Sequence, residues 1–145
     1  MITVKVEIEI KHPPAKTFAF ISNFENNPKW QEGMQKCTVV TPGDLQVGTQ
    51  YNQEAKFLGK DIISTFEVTD YTPGQMVKAK SITGPFPITF KRMVENNNGI
   101  SKVRAIIEGE SKGFFRIAQP LMRWMVNRSI QKDYQRLKKL LESAS

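Results

Sequence analysis

The chain has 145 residues, of which 39% are hydrophobic and 24% charged, and its net charge is +7. This length and composition are typical of one globular domain with a sizeable core, and they exclude an intrinsically disordered chain. No apolar run approaches the roughly 20 residues that a membrane-spanning helix needs. We therefore expect a single domain over residues 1–145.

The positive charge is concentrated near the C-terminus. Eight basic and two acidic residues lie within residues 112–142, so this segment supplies most of the net charge. Lys5 and Glu7 interrupt the N-terminus, which therefore lacks the apolar segment of a signal peptide. Cys37 is the only cysteine, which is typical of a reducing compartment. We expect a cytoplasmic protein.

The N-terminal segment predicts a strand followed by a short helix. Residues 2–10 alternate between apolar and polar side chains, which is the pattern of a strand with one buried face. Pro13 and Pro14 end the strand ladder, and Pro14 suits the first position of a helix, where its missing N–H is not needed. A polar loop follows and ends on Trp30.

The middle of the chain predicts six more strands separated by turn signals. Proline and glycine in the order of a type II turn occupy residues 72–75, and an Asn-Gly pair at Asn98 and Gly99 predicts a tight hairpin. The strands are expected at residues 36–41, 49–57, 61–71, 76–83, 87–95 and 100–109.

The last third of the chain predicts a long helix from residue 113 onward. One apolar stripe at helical spacing contains Met122, Val126, Ile130, Leu137 and Leu141, with Tyr134 on its edge. A second stripe contains Phe114, Ile117, Ala118, Leu121 and Met125. Pro120 either kinks this helix or begins its main part. An antiparallel sheet with one apolar face must be covered, and only this helix is long enough, so we predict an α+β fold.

The segment Pro-Pro-x-x-x-Phe-x-Phe-Ile-Ser-Asn-Phe-Glu-Asn-Asn-Pro-Lys-Trp at residues 13–30 resembles a known family. The similarity continues through residues 43–49, 67–74 and 84–87 and ends in the final amphipathic helix. It indicates the polyketide cyclase/dehydrase branch of the START-like (SRPBCC, birch-pollen-allergen type) superfamily. The resemblance implies a helix-grip fold: about seven curved antiparallel strands around the C-terminal helix, with two short helices after the first strand.

The usual catalytic signatures are missing from the sequence. It has no Gly-x-Ser-x-Gly elbow, Walker loop or Gly-x-Gly-x-x-Gly motif. His12 beside two prolines is interpreted as an ordinary surface histidine, and Cys37 as a small apolar residue rather than a nucleophile. One histidine and one cysteine leave little for a zinc site. No catalytic residue is assigned, and neither a metal nor a cofactor is expected.

Large apolar and aromatic side chains are candidates for a ligand cavity between sheet and helix. A filled core is the plainer interpretation of each one, but the resemblance favours a cavity wall for the group. The candidates are Trp30, Tyr51, Phe57, Phe66, Phe86, Phe90, Leu121, Met122, Met125 and Val126. Lys80 and Arg92 are possible polar groups inside the cavity, where either one would suit a carboxylate, phosphate or enolate.

The last helix also predicts a basic ridge formed by Arg128, Lys132, Arg136 and Lys139. At 100° per residue these side chains lie opposite the apolar stripe. A solvated face is the default interpretation, and weak contact with an anionic membrane is the alternative. The ridge has no aromatic residues for base stacking, so nucleic acid is not expected as a partner. The sequence does not fix the oligomeric state.

Three functions follow from these patterns. The first is binding or transport of a hydrophobic small molecule, such as a lipid, an isoprenoid or a polyketide-like compound. The second is a cyclase, aromatase or dehydratase that acts by positioning its substrate and by general acid–base help. The third is a peripheral membrane or quinone-chaperone role for the basic helix.

Overall fold

A computed structural model describes residues 2–57, 59–110 and 119–144. Strand β1 is followed by helix α1, a 3₁₀ helix and six more strands, and helix α2 ends the chain. The bounds are β1 Ile2–Ile10, α1 Pro14–Ser22, the 3₁₀ helix Phe24–Lys29, β2 Met34–Val39, β3 Gln50–Phe57, β4 Lys60–Thr72, β5 Met76–Thr83, β6 Ile88–Asn97, β7 Ile100–Gly109 and α2 Gln119–Ser143.

The seven strands form one antiparallel sheet in the order β1-β7-β6-β5-β4-β3-β2. From β2 to β7, each strand pairs with the next strand in sequence. The first strand, β1, pairs with β7 and forms the edge of the sheet. Helix α2 packs on the apolar face, where Leu137 and Leu141 are buried. The predicted α+β helix-grip fold, its seven strands and the two short helices after β1 are confirmed.

The predicted turn residues have the expected local geometry. Pro14 begins α1, as its missing N–H suggests. Asn98 and Gly99 have φ values of 53° and 90°, as a type I′ hairpin turn requires at both central positions. Gly74 has a φ of 77°, and Gln75 N donates to Thr72 O. These turns set the lengths of β4, β5, β6 and β7.

The strands lie within two residues of their predicted bounds, and β2 is shifted by two residues at both ends. Strand β2 covers Met34–Val39 rather than residues 36–41, because its pairing with β3 begins at Met34 and passes through a bulge before Lys36. The stripe residues Phe114, Ile117 and Ala118 lie outside the described residues, and α2 is described from Gln119.

A cluster of stacked aromatic rings fills part of the space under the sheet. The ring centroids of Phe24 and Tyr51 are 4.3 Å apart, those of Tyr51 and Phe66 are 5.4 Å apart, and those of Phe66 and Phe90 are 5.8 Å apart. We call these four rings, together with Trp30, the aromatic core. All five are buried. Burial also raises the pKa of the Tyr51 phenol above its usual range.

Arg92 is buried within this aromatic core, with only 4% of its surface exposed. Its Nη1 donates to Ile21 O at 2.8 Å and to Asn27 Oδ1 at 2.9 Å. The guanidinium carbon lies 4.8 Å from the Phe90 ring centroid and 5.0 Å from that of Trp30. In the part of the chain that the structure describes, no carboxylate forms an ion pair with Arg92. Its charge is therefore stabilised by neutral acceptors and by ring faces.

The only cysteine is part of the same buried region. Cys37 lies on β2, is 7% exposed and accepts a hydrogen bond from Asn27 Nδ2 at 3.8 Å. Burial raises the pKa of its thiol to about 11. The thiol is therefore protonated and shielded at neutral pH, as expected for a small apolar core residue.

We predict that Arg92→Met lowers the free energy of unfolding by about 2–4 kcal/mol, because Ile21 O and Asn27 Oδ1 lose their buried donor. Urea denaturation followed by circular dichroism measures the change. The matched control is Lys80→Met on the exposed face of β5, which should change the free energy by about 0.5 kcal/mol or less. Equal effects of the two substitutions would contradict this account of Arg92.

Candidate functional site

The structure contains a cavity of about 280 Å³ between the sheet and the first half of α2. Along α2 the cavity extends from Met122 to Asp133. Beyond it, Tyr134 packs against Trp30 with ring centroids 4.9 Å apart, and Leu137 is fully buried. The space between sheet and helix is thus hollow beside the first half of α2 and filled by side chains beside the second half.

The sheet contributes the ends of several strands to this cavity. Ile2 and Val4 come from β1, while Ile107 comes from the neighbouring strand β7. Because side chains alternate across a strand, residues two apart on β1 face the cavity together. Further walls come from β2, β3, β4, β6 and the loop after the 3₁₀ helix, with lining residues that include Gly33, Met34, Ala55, Ile62 and Ile88. The lining is mostly apolar.

The structure divides the ten predicted ligand-binding residues into three groups. Four of them line the cavity: Phe57, Phe86, Met122 and Val126. Four belong to the aromatic core and do not line it: Trp30, Tyr51, Phe66 and Phe90. The remaining two, Leu121 and Met125, also lie outside its lining.

Leu121, a predicted cavity-wall residue, and Lys80, a possible polar cavity group, do not point toward the cavity. Leu121 is 59% exposed, because its angular position on α2 is on the outer face, away from Met122 and Val126. Lys80 is exposed because the register of β5 turns its neighbour Ala79 inward. Met125 is half-buried beside Leu121.

Arg92 points inward, but into the aromatic core rather than into the cavity. Its hydrogen bonds connect β6 with the C-terminal end of α1 and with the 3₁₀ helix. In this position it stabilises the filled part of the domain.

The cavity has a polar corner formed by Asp133 and Gln31. Asp133 is 8% exposed; it accepts from Glu32 N at 3.2 Å and from Arg136 Nη1 at 2.6 Å. Burial raises the pKa of Asp133, although Glu32 N–H and the Arg136 guanidinium act in the opposite direction. Gln31 Oε1 is buried and has no hydrogen-bond partner among the described residues. The corner thus places one carboxyl group at the cavity wall, whereas Gln31 Oε1 is closed off from the cavity.

The sequence contained an overlooked signal for Asp133. The apolar stripe of α2 passes from Ile130 to Leu137 in one step of seven, and the two inward positions between them are Asp133 and Tyr134. An acidic residue on an otherwise apolar stripe is rare unless it is paired. Its pairing with Arg136 is not evident from the helix angles, which place Arg136 with the solvated ridge.

The basic ridge is only partly a solvated face. Arg128, Lys132 and Lys139 are exposed. Arg136 instead forms ion pairs with Asp133 at 2.6 Å and with Glu32 at 2.7 Å. It therefore links α2 to the loop that borders the cavity, which corrects the expectation that Arg136 lies free in water.

The described residues offer neither a metal-binding cluster nor a membrane-spanning helix. Within the described ranges, no three histidine, cysteine, aspartate or glutamate side chains come together as a metal site requires. Among the helices of those same ranges, none has the length and hydrophobicity needed to cross a membrane.

The fold closely matches several solved structures of low sequence identity. A protein from Thermus thermophilus is 16% identical and superposes with a TM-score of 0.84 over 99% of both chains. A START superfamily protein from Mycobacterium smegmatis is 12% identical, with a TM-score of 0.81 over 99% of both chains. The Zhui aromatase/cyclase from a Streptomyces species is 11% identical, with a TM-score of 0.79 over 97% of this chain and 93% of that one. At these identities the similarity shows the fold alone.

Sequence comparison identifies the family. The search of curated proteins found no match. One family model, described as polyketide cyclase / dehydrase and lipid transport, matches residues 1–142. This match covers almost the whole chain and agrees with the helix-grip fold. The chain is therefore a member of the polyketide cyclase/dehydrase and lipid transport family.

Proposed function

We propose that this protein binds a hydrophobic small molecule, such as a lipid, an isoprenoid or a polyketide-like compound, in the cavity between the sheet and α2. The observation that carries the proposal is the mostly apolar cavity of about 280 Å³ between the sheet and α2. Its volume is near the lower end of the range for small-molecule sites, which begins at about 300 Å³. Family membership supports the same class of ligand.

The polar corner suggests a more specific ligand. The Asp133 carboxyl group at the cavity wall favours a ligand with a group that can hydrogen-bond to it. The apolar side chains around Met122 and Ile107 favour an apolar body. The ligand that fits both features has a compact apolar body and one hydroxyl or protonated polar end.

A second candidate function is that of a polyketide cyclase, aromatase or dehydratase, and Asp133 is the observation that favours it. Its carboxyl group is at the cavity wall, and burial moves its pKa upward, toward the range where a carboxyl group can give and take a proton. A carrier needs only shape and apolar surface, so a proton-transfer role for Asp133 would distinguish the two functions.

The cavity proposal predicts that the folded protein binds the dye 1-anilinonaphthalene-8-sulfonate well below its melting temperature. Val126→Trp should lower the affinity for the dye about tenfold or more, because the larger ring occupies the cavity. Fluorescence titration measures the affinity, and circular dichroism checks that the variant is folded.

The matched control is Gln135→Trp, which adds the same ring at an exposed position of the same helix. It should leave dye affinity unchanged. If a folded Val126→Trp variant binds the dye as well as the unchanged protein does, the dye site is not this cavity and the proposal loses its support.

For Asp133 we predict that Arg136→Gln raises its pKa further, because removing a neighbouring positive charge disfavours the carboxylate. Carbon-13 NMR titration of the aspartate carboxyl groups measures the shift, and Arg128→Gln on the exposed face is the control. Since the folded pKa already exceeds the ordinary 3.8, the contribution of Asp133 to stability decreases as the pH rises through that folded pKa. An unchanged pKa in Arg136→Gln would show that this ion pair does not control the carboxyl group.

A further inference from the structure

The outer face of the first half of α2 exposes two large apolar side chains. Leu121 is 59% exposed and Trp124 is 58% exposed. At 100° per residue they fall within an arc of about 80° together with the exposed Arg128 and Lys132. We call these four residues the Trp124 face. It lies on the opposite side of the helix from Met122 and Val126, which line the cavity.

The Trp124 face combines apolar and cationic groups without any acidic residue. The guanidinium carbon of Arg128 lies 5.3 Å from the Trp124 ring centroid, so cation and ring form one continuous surface. No aspartate or glutamate occurs within residues 119–132, and the next acid, Asp133, is buried on the inner side. This face is therefore positively charged and is complementary to an anionic partner.

The composition of this face fits a lipid surface better than it fits nucleic acid. Tryptophan and leucine beside arginine and lysine on one helical face are typical of helices that lie in the membrane interface. A nucleic-acid strand would instead need a series of stacking rings, and this face has one. Exposed apolar side chains of this size are costly in water, whereas at a bilayer surface they insert among lipid chains.

The Trp124 face also lies close to the cavity. A surface groove is lined by Ile2, Thr3, Arg123, Trp124 and Asn127, and Ile2 is at the same time a wall residue of the cavity. Among the described residues, Ile2 alone lines both spaces. Contact of this face with a bilayer would bring the groove, and with it one wall of the cavity, to the lipid surface.

We propose that the Trp124 face docks on the surface of anionic lipid membranes. Docking uses the outer side of α2 and does not require a ligand in the cavity. Arg128 and Lys132 attract the negatively charged headgroups, and Leu121 and Trp124 insert at the headgroup level.

The test is co-sedimentation with vesicles of phosphatidylcholine containing a third of phosphatidylglycerol, at low ionic strength. Arg128→Gln combined with Lys132→Gln should weaken partitioning by about 30-fold, since each cation near the charged surface contributes about fivefold. Leu121→Ser combined with Trp124→Ser should weaken it about tenfold or more. Vesicles of phosphatidylcholine alone should bind little, and salt near 1 M, where the Debye length is about 3 Å, should release the protein.

Tryptophan fluorescence adds a readout at the docking face itself. Trp124 is exposed and Trp30 is 1% exposed, and the chain has no other tryptophan. Binding to the anionic vesicles should shift the emission to shorter wavelength and protect it from acrylamide. Trp124→Phe should remove both changes while much of the partitioning remains, because phenylalanine keeps an apolar ring at that position.

The matched controls change exposed residues of the same kinds elsewhere. Lys16→Gln with Lys36→Gln removes two exposed cations, and Val47→Ser with Ile63→Ser removes two exposed apolar groups. Each pair should leave partitioning within about threefold of the unchanged protein, since a distant group contributes little at this surface. Equal losses in these controls and in the Trp124-face variants would overturn the proposal.

Two other outcomes would also overturn it. One is equal binding to neutral and anionic vesicles. The other is tight binding to single-stranded RNA that competes with vesicle binding. If the Leu121 and Trp124 substitutions left that RNA binding unchanged, the face would be a general polyanion site. Because dye binding in the cavity does not depend on these side chains, it should persist in every Trp124-face variant. The cavity-binding proposal and the membrane-docking proposal can therefore be rejected independently of each other.

Discussion

The buried guanidinium of Arg92 is the constraint around which the filled part of this domain is arranged. A charge that is almost fully removed from water must be stabilised by its surroundings. Here the carbonyl of Ile21, the amide of Asn27 and the faces of Phe90 and Trp30 do so. Those partners come from α1, the 3₁₀ helix, its flanking residue and the sheet, which are thereby held in one relative position. The cavity lies outside this fixed region, and neither Arg92 nor these four partners line it.

Asp133 and Arg136 connect the filled and hollow parts. Their ion pair lies at the boundary along α2, and both residues also contact Glu32 in the loop that borders the cavity. A side chain that binds two elements in this way limits how far the loop can separate from the helix. The polar corner is therefore positioned by the same contacts that close this end of the cavity, and a bound molecule would meet groups whose orientation is already fixed.

The fold was predictable from local patterns, but the cavity was predictable only in part. Alternation in β1, the helical stripe of α2 and the Asn98-Gly99 hairpin each depend on neighbours in sequence, and the structure confirms them. Which aromatic residues line the cavity depends on how far the sheet curves, and no single strand determines this. Tyr51 and Phe57 share a face of β3, yet only Phe57 reaches the cavity. The role of Asp133 is not evident from the sequence because Glu32, which donates its N–H to it, is about 100 residues away, and Arg136, three residues along α2, shares a helix face with the solvated ridge.

The placement of Cys37 has a consequence for observing the motions of this domain. It is the only thiol of the chain, it is buried on the edge strand β2, and its pKa near 11 keeps it unreactive. With only 7% of Cys37 exposed, alkylation by a small reagent should speed up when β2 separates from its surroundings. The alkylation rate therefore reports how often this edge of the sheet opens locally. It would report that motion without any added label and without disturbing α2.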